Sequence, residues 1–518
     1  MPSSVPPRSA SLAPPRLGRR VAIAALYTIA TRFALRGIGL VSTLILVRLL
    51  SPADFGVVGL ASAVYASLNM LTATGFNLAI IRMAAPQRVH YDTAWTLGVI
   101  RGVVIAAGLI LTAGWQAALM HDARIAPLMW LLAGTALVQS LESGRLIDCQ
   151  RELRFDLLMR YAVAGKVAGF CIVVPLAFIL RNYWPLLLSG LFSRLLVIIP
   201  YSYRLAPYRP RPSLGAWREM FGFSKWLALG NAGAILDMQL MNFVVGRYVG
   251  LAAVGFYQVV NQIAALPISE IAAPIRQPVY AGFAKIYHDV TELRRHFLTG
   301  LAMQCVVILP LTAGIAVTAP DIVALFLGAK WAAAAALLPA IAVYALFDAL
   351  GHYIQNVFIV LNRQRGSTLT FYGTLAVRLP LTIWAAIQYG VQGAVLAMLA
   401  SAAVNMVVWS ILVRPLLHVA WPSVLAAVWR SFAAVLPLCG AAKLAGHLLG
   451  PPLPGTGPAA LRFAAEVGAG AAGYGTALLL LWLASGAPEQ ASEAQLLRAV
   501  PGIAMRLLGA VLPARRIV

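Results

Sequence analysis

The feature that most restricts how this chain can fold is a succession of apolar runs, each about 20 residues long, separated by short polar joints. A bilayer hydrocarbon core of about 30 Å is crossed by about 20 helical residues rising about 1.5 Å each. Runs of that length begin near Val21, Phe55, Trp95, Ile125, Leu158, Tyr183, Ser224, Ala252, Phe297, Trp331, Thr368, Val391, Arg430 and Ala459, fourteen in all. Inside lipid the backbone must satisfy its own N–H and C=O groups, so runs of this length predict helices. The expected fold class is all-α, a polytopic membrane protein with fourteen transmembrane helices. Composition agrees, since 61% of the 518 residues are hydrophobic and only 11% charged, against about 25% charged in soluble domains. No soluble domain fits between the runs.

The charged residues comprise 40 Lys or Arg and 17 Asp or Glu, a net charge of +23. In a soluble protein that excess would point to nucleic acid. Here location decides. If the N-terminus is cytoplasmic, the outside loops hold only Arg48, Arg124, Arg181, Arg247 and Lys330, and the other loop cations fall inside. Cytoplasmic loops of membrane proteins carry such an excess, so both termini are expected in the cytoplasm. Cys149, Cys171, Cys305 and Cys439 show no CxxC spacing, and neither a disulfide nor a metal site is expected from them. Residues 1–20 read as a disordered cytoplasmic segment. The run after them is too long for a signal-peptide core and stays as the first helix. From Glu489 onward, Leu496, Leu497, Val500, Ile503, Leu507 and Leu508 recur at helical spacing with Arg498 and Arg506 between them, which suits a helix lying on the inner leaflet.

An internal repeat pairs VRLLSPADFGVV (47–58) with GRYVGLAAVGFY (246–257), aligning Arg48 with Arg247 and Gly56 with Gly255, six spans apart. An even offset predicts two lobes of like orientation with a substrate path between them. The expected divisions are an N-lobe over 21–212, a C-lobe over 213–413, an appended helix pair over 414–484 and an amphipathic tail over 485–518.

Several cations fall well inside predicted spans: Arg32 and Arg36 in the first, Arg101 in the third, Lys166 in the fifth, Arg194 in the sixth and Arg378 in the eleventh. Each costs roughly 2.5 to 3.5 kcal/mol at a helix centre, so together they predict a wet or anion-filled interior. Arg32 and Arg36 are one helical turn apart and repel unless an anion or carboxylate lies between them. Ser62, Tyr65, Asn69 and Thr72 form a polar stripe on the second span, as do Tyr344, Asp348, His352 and Gln355 on the tenth. The candidate substrate contacts are therefore the six cations with Tyr65 and Asn69. The carboxylates Asp237, Glu270 and Asp348, all in the second half, are candidates for a coupling cation or proton. Plainer readings stay open: the cations pair with Glu142, Asp237 or Glu270, or snorkel to the interface, and the polar stripes hold helices together at about 0.6 kcal/mol per bond. No GxxxxGK[ST], HExxH or DxD motif occurs, so no ATPase, zinc or sugar-nucleotide chemistry is expected. The seven histidines read as structural or solvated. No cofactor, metal or nucleic acid is expected.

The segment ATRFALRGIGLVSTLILVRLLSPADFGVVGLASAVYASLNMLTATGFNLAIIR (30–82) resembles the opening of bacterial polysaccharide flippases of the multidrug/oligosaccharidyl-lipid/polysaccharide superfamily. The resemblance rests on Arg48, Leu50, Pro52, Asp54, Phe55 and Gly56, and then on Thr74, Gly75, Phe76, Ala79 and Arg82. DIVALFLGAKW (321–331) is similar to the turn that opens the tenth helix in that family. The resemblance implies two six-helix lobes around a cationic cavity and alternating access. It also implies an undecaprenyl-pyrophosphate-linked oligosaccharide as substrate and a bacterial inner-membrane location. Membrane lipids, a polysaccharide polymerase and a co-polymerase are the implied partners, with a monomer as the working unit. The two extra helices are similar to those of lipid II flippases, where the pair makes a groove for the lipid tail. Two rivals fit less well. A multidrug cation antiporter of the same superfamily would want carboxylates in its first lobe, and a membrane polymerase or ligase would want a large outside loop.

Overall fold

The computed structural model describes residues 14–72, 80, 81, 83, 86–217, 224–272, 282, 283, 286, 288–450 and 456–486. Outside them lie most of the expected N-terminal disorder, the C-terminal amphipathic helix, and Thr74, Gly75, Phe76, Ala79 and Arg82 of the family motif. All regular structure among the described residues is helical. Among the described residues ten helices are long and apolar enough to cross a membrane, or eleven with the bent pair Ile125–Ser140 and Gly144–Arg151 counted as one span.

The chain forms two units, Met1–Phe243 and Val244–Val518. The first contains α1 (Pro14–Leu49), α2 (Pro52–Leu71), α3 (Arg88–Leu119), α4 (Ile125–Ser140), α5 (Ile147–Arg151), α6 (Phe155–Leu180), α7 (Trp184–Ser193) and α8 (Ile199–Leu205). Its 36 residues make α1 about 54 Å long at helical rise, well beyond a bilayer core. The apolar run from Val21 lies inside α1, with Arg32 and Arg36 one turn apart on the same helix.

The SPADFG segment is a helix start. Ser51 caps α2 by accepting from Asp54 N at 3.2 Å, while the Ser51 N–H donates to Asp54 Oδ2 at 3.0 Å. Pro52 occupies the first turn, where its missing N–H costs nothing. Such reciprocal capping satisfies two donors that a helix start otherwise leaves bare.

After α8 the segment 206–217 is pinned to the start of α3. Pro207, Pro210 and Pro212 have no N–H to give, and the neighbouring backbone donors turn to side chains. Arg211 N donates to Asp92 Oδ1 at 3.1 Å, Ser213 N to Thr96 Oγ1 at 2.9 Å and Ala216 N to Thr93 Oγ1 at 3.2 Å. The Tyr208 hydroxyl also donates to Asp92. Burial, and then this bond, hold the Tyr208 phenol well above its ordinary range, so it stays a donor. Arg88 covers the site from outside through its contact with Asp92 at 3.5 Å.

Helix α9 (Ser224–Tyr248) crosses the division between the units. The second unit continues with α10 (Leu251–Ala264), α11 (Val290–Val317), α12 (Ala319–Ile322), a π-turn (Val323–Leu327), α13 (Ala334–Val360), α14 (Gln364–Leu417), α15 (Trp421–Leu448) and α16 (Thr456–Ala484). Its core packs Phe297, Leu301, Ile308, Tyr353, Phe358, Trp409 and Leu417 from α11, α13 and α14. The 54 residues of α14 are interrupted at Gly390, whose φ of 64° and ψ of −149° suit a residue without a Cβ. The run therefore divides where the sequence separates the spans starting at Thr368 and Val391. Pro310 inside α11 cannot bond the carbonyl of Val306, four residues earlier. Tyr474 of α16 donates its hydroxyl to that carbonyl at 3.0 Å.

Candidate functional site

Helix α2 brings Tyr65, Asn69 and Thr72 to one face, because steps of four and three residues return to the same side of a helix. Arg101 of α3 meets this face. Its Nη2 donates to Asn69 Oδ1 at 2.5 Å and to Asn69 O at 2.7 Å, and its Nε donates to Thr72 Oγ1 at 3.1 Å. A guanidinium has five N–H donors, so both donors on Nη1 remain without a bond to the described residues. Tyr65 donates to Gln139 Oε1 at 2.7 Å and ties α2 to the end of α4.

Beyond Ser140 the chain bends by 65° into Gly144–Arg151. Side chains and backbone from α8 hold the bend. Ser143 N donates to Ser202 Oγ at 3.2 Å, Ser143 Oγ donates to Ala206 O at 2.9 Å, and Tyr203 donates to Leu141 O at 3.0 Å. The bend presents Glu142, which accepts from Tyr161 of α6 at 2.9 Å and from Arg194 Nη1 at 3.0 Å. Arg194 opens a π-turn, Arg194–Ile198. Pro200 lacks the N–H that would bond Leu196 in a regular helix, and a wider turn absorbs the missing bond.

Two cavities flank this bend. The smaller, about 280 Å³, is walled by Tyr65, Asn69, Trp95, Arg101, Gln139 and Glu142 among others. The larger, about 620 Å³, includes Leu35, Ser42, Tyr161, Lys166, Ser193 and Arg194, and it shares Gln139 and Glu142 with the smaller one. Lys166 makes no ion pair with a described residue. Its Nζ lies beside α1, 3.5 Å from where a Cβ on Gly39 would stand. Arg101, Lys166 and Arg194 thus face a single carboxylate, Glu142, across the two cavities. Such a surface attracts an anion with several acceptor oxygens, and the spare guanidinium donors suit paired hydrogen bonds to phosphate.

Of the expected contacts, Tyr65, Asn69, Arg101, Lys166 and Arg194 come together here. Arg32 and Arg36 are not in the walls; α1 offers Leu35, Ile38, Ser42 and Leu46 instead. Arg32 is exposed and Arg36 half-buried. In the second unit Arg378 donates to Tyr344 Oη at 3.2 Å and covers the ring of Tyr344 at 5.6 Å. Asp348 faces His352 at 3.4 Å, and Glu270 accepts from Ser269 at 2.8 Å. Asp237 is half-buried on α9, within the first unit. Sequence reasoning offered Glu142 only as a structural ion-pair partner and did not single out Gln139 or Tyr161. A polar residue at the end of an apolar run beside LESG was the available signal for the first two.

A family model described as polysaccharide biosynthesis protein matches residues 45–336. The lipopolysaccharide biosynthesis protein WzxC of Escherichia coli (strain K12) is 23% identical over 411 residues, covering 77% of this chain and 82% of that protein. The succinoglycan biosynthesis transport protein ExoT of Rhizobium meliloti (strain 1021) is 24% identical over 315 residues, covering 57% and 60%. Among solved structures, the lipid II flippase MurJ in an inward closed conformation has the same fold. It superposes with a TM-score of 0.69 at 12% identity, over 88% of this chain and 99% of that one.

Proposed function

The chain belongs to the polysaccharide biosynthesis protein family, and from that membership we propose that it carries lipid-linked oligosaccharide across its membrane without making or breaking a covalent bond. The observation that carries this reading is the pair of cavities in the first unit, where Lys166 and the spare donors of Arg101 face inward among apolar helices. Charges on membrane helices persist where they serve a hydrated path or a bound ion. ExoT is named for transport and MurJ for flipping a lipid, which supports transport over synthesis.

In this reading the substrate is an undecaprenyl pyrophosphate bearing a sugar repeat unit. Arg101, Lys166 and Arg194 hold the diphosphate, Tyr65 and Asn69 meet the sugars, and the prenyl tail stays in lipid. Arg32 and Arg36 on α1 and Arg378 on α14 are further candidate contacts for the anionic cargo. The chain crosses a bacterial inner membrane fourteen times with both termini in the cytoplasm. It does so as N-lobe 21–212, C-lobe 213–413 and an appended pair 414–484. The helices α9 and α10 and the break at Gly390 support this span count beyond the eleven that pass on length and apolarity alone. The protein works as a monomer by alternating access and hands its cargo to a polymerase and co-polymerase. Asp237, Glu270 and Asp348 are the coupling residues. Export that keeps its dependence on a proton or sodium gradient in Asp237→Asn and Asp348→Asn would exclude that role.

Deleting the protein in its host should leave completed lipid-linked units on the inner leaflet, detected by leaflet-selective labelling. Single units on the outer leaflet would mark a polymerase instead. Arg101→Ala should lower polymer export about ten- to a hundredfold, the equivalent of about 1.5–3 kcal/mol for hydrogen bonds to a charged group. Arg101→Lys should retain part of the export as a point charge. Normal export from an Arg101→Ala, Lys166→Ala double variant would take these cavities off the path.

A further inference from the structure

Away from the cation-lined cavities, the second unit encloses an ionic cluster that the transport reading does not use. Asp321 of α12 and Glu466 of α16 are 5% and 4% exposed. Both carboxyls converge on one nitrogen: Arg462 Nε lies 3.3 Å from Asp321 Oδ1 and 3.1 Å from Glu466 Oε1. The other end of the same guanidinium is fixed by Nη1 donating to Gly450 O at 2.8 Å. Glu466 Oε2 is buried without a hydrogen-bond donor. The carboxyl presses on the backbone of α15, since a Cβ on Gly446 would fall 2.1 Å from Glu466 Oε1. Phe326 and Phe463, in edge contact at 5.6 Å, close the adjacent side. Glu466 lies about 15 Å along the helix from its start at Thr456, taking about 1.5 Å per residue.

The charge balance of this cluster is what requires explanation. Two carboxylates against one guanidinium leave an uncompensated negative charge where desolvation costs several kcal/mol per ion. Of the other charged and titratable groups on the elements packed against the cluster, Lys330, Lys443 and His447 are exposed, as are Glu292, Arg294, Arg295 and His296 of α11. On α13, Tyr344 accepts from Arg378, Asp348 faces His352 and Tyr353 donates to Phe297 O. Arg430 is about 24 Å away along α15 at helical rise, Tyr474 is bonded to Val306 O, and Cys305 and Cys439 are thiols. None supplies a second positive charge among the described residues. Two carboxyls crowded on one site hold a proton between them, because both cannot ionise at low cost.

We propose that Asp321 and Glu466 form a proton-binding site, with one proton shared between the two carboxyls and Arg462 as its fixed countercharge. The lone oxygen Oε2 of Glu466 is where the proton sits when the pair is neutralised. Water reaches the pair beside Arg462, whose side chain keeps 21% of its surface while the guanidinium itself stays charged. The proton comes from water and returns to it, with no other bond changed.

The test is infrared difference spectroscopy of the purified full chain in detergent, read at the carbonyl stretch of protonated carboxylic acids in H₂O and D₂O. Wild type should show a component that shifts in D₂O. Glu466→Gln and Asp321→Asn should each lose it, because either change leaves one carboxylate paired with Arg462. The double variant should lose no more than either single one, since only one proton is shared. Arg462→Gln removes the countercharge, and the component should rise about twofold as both carboxyls protonate. If Arg462→Gln fails to fold, the two isosteric variants still decide. A component that survives both single substitutions, or losses that add in the double variant, would overturn the proposal. Because the measurement needs no substrate, a negative result here leaves the transport reading standing, and failed export leaves this site standing.

Discussion

Gly102→Val is expected to cost about 3 kcal/mol or more, at the upper end of overpacking penalties, and to leave little folded protein in the membrane. A Cβ at Gly102 would stand 2.7 Å from Ser140 Cβ, 2.9 Å from Ser140 Oγ and 3.2 Å from Ala136 O. Two of those three atoms are a Cβ and a backbone oxygen, neither able to swing aside, so the whole of α3 must move away from α4. Helices in lipid gain little from hydrophobic burial against one another and depend on close packing of small residues, so separation is not recovered elsewhere. Gly98→Ala, one turn earlier, should be tolerated because nothing lies within 4 Å of its added carbon. Thermal unfolding midpoints of the two variants in the same detergent separate the steric account from a general glycine effect. Equal midpoints would contradict it.

The second large effect is expected at Asp92. Its carboxylate is the acceptor for the Tyr208 hydroxyl and for Arg211 N, and it is buried. Asp92→Ala leaves both donors bare, at about 1–3 kcal/mol each, and should free segment 206–217 from α3. Asp92→Asn keeps an accepting oxygen and loses mainly the ion pair with Arg88. That arginine side chain is 55% exposed, and exposed pairs contribute about 0–1 kcal/mol. The alanine variant should therefore unfold at a clearly lower temperature than the asparagine one and expose the segment to protease. Indistinguishable cleavage rates would show that Thr93 and Thr96 alone hold the segment.

Spans were legible because twenty apolar residues have few other ways to satisfy their backbone in lipid. Helix ends were less legible, since the helix that carries the run from Val21 already starts at Pro14. Residue partners were harder still. Glu142 reaches Arg194 because Ser143, Ser202 and Ala206 set a bend, and such distant bonds leave no periodic signal in a sequence. The Asp321, Arg462 and Glu466 cluster had one local clue, a cation and an acid four residues apart on an apolar helix, while its third member lies far away in sequence. The motifs behind the family resemblance prove to be architectural where they are described. Ser51 and Asp54 cap a helix. Gly328 turns at a φ of 86°, and Trp331 is fully buried against Phe256.

The wall shared by the two cavities sets a limit on cargo. An anion settling beside Arg194 competes with Glu142 for the same guanidinium, and once it wins, the displaced carboxylate faces both chambers as a repelling charge. A second anion then meets opposition from the very group that the first one released. On the transport reading proposed above, loading should be self-limiting, with one headgroup travelling at a time.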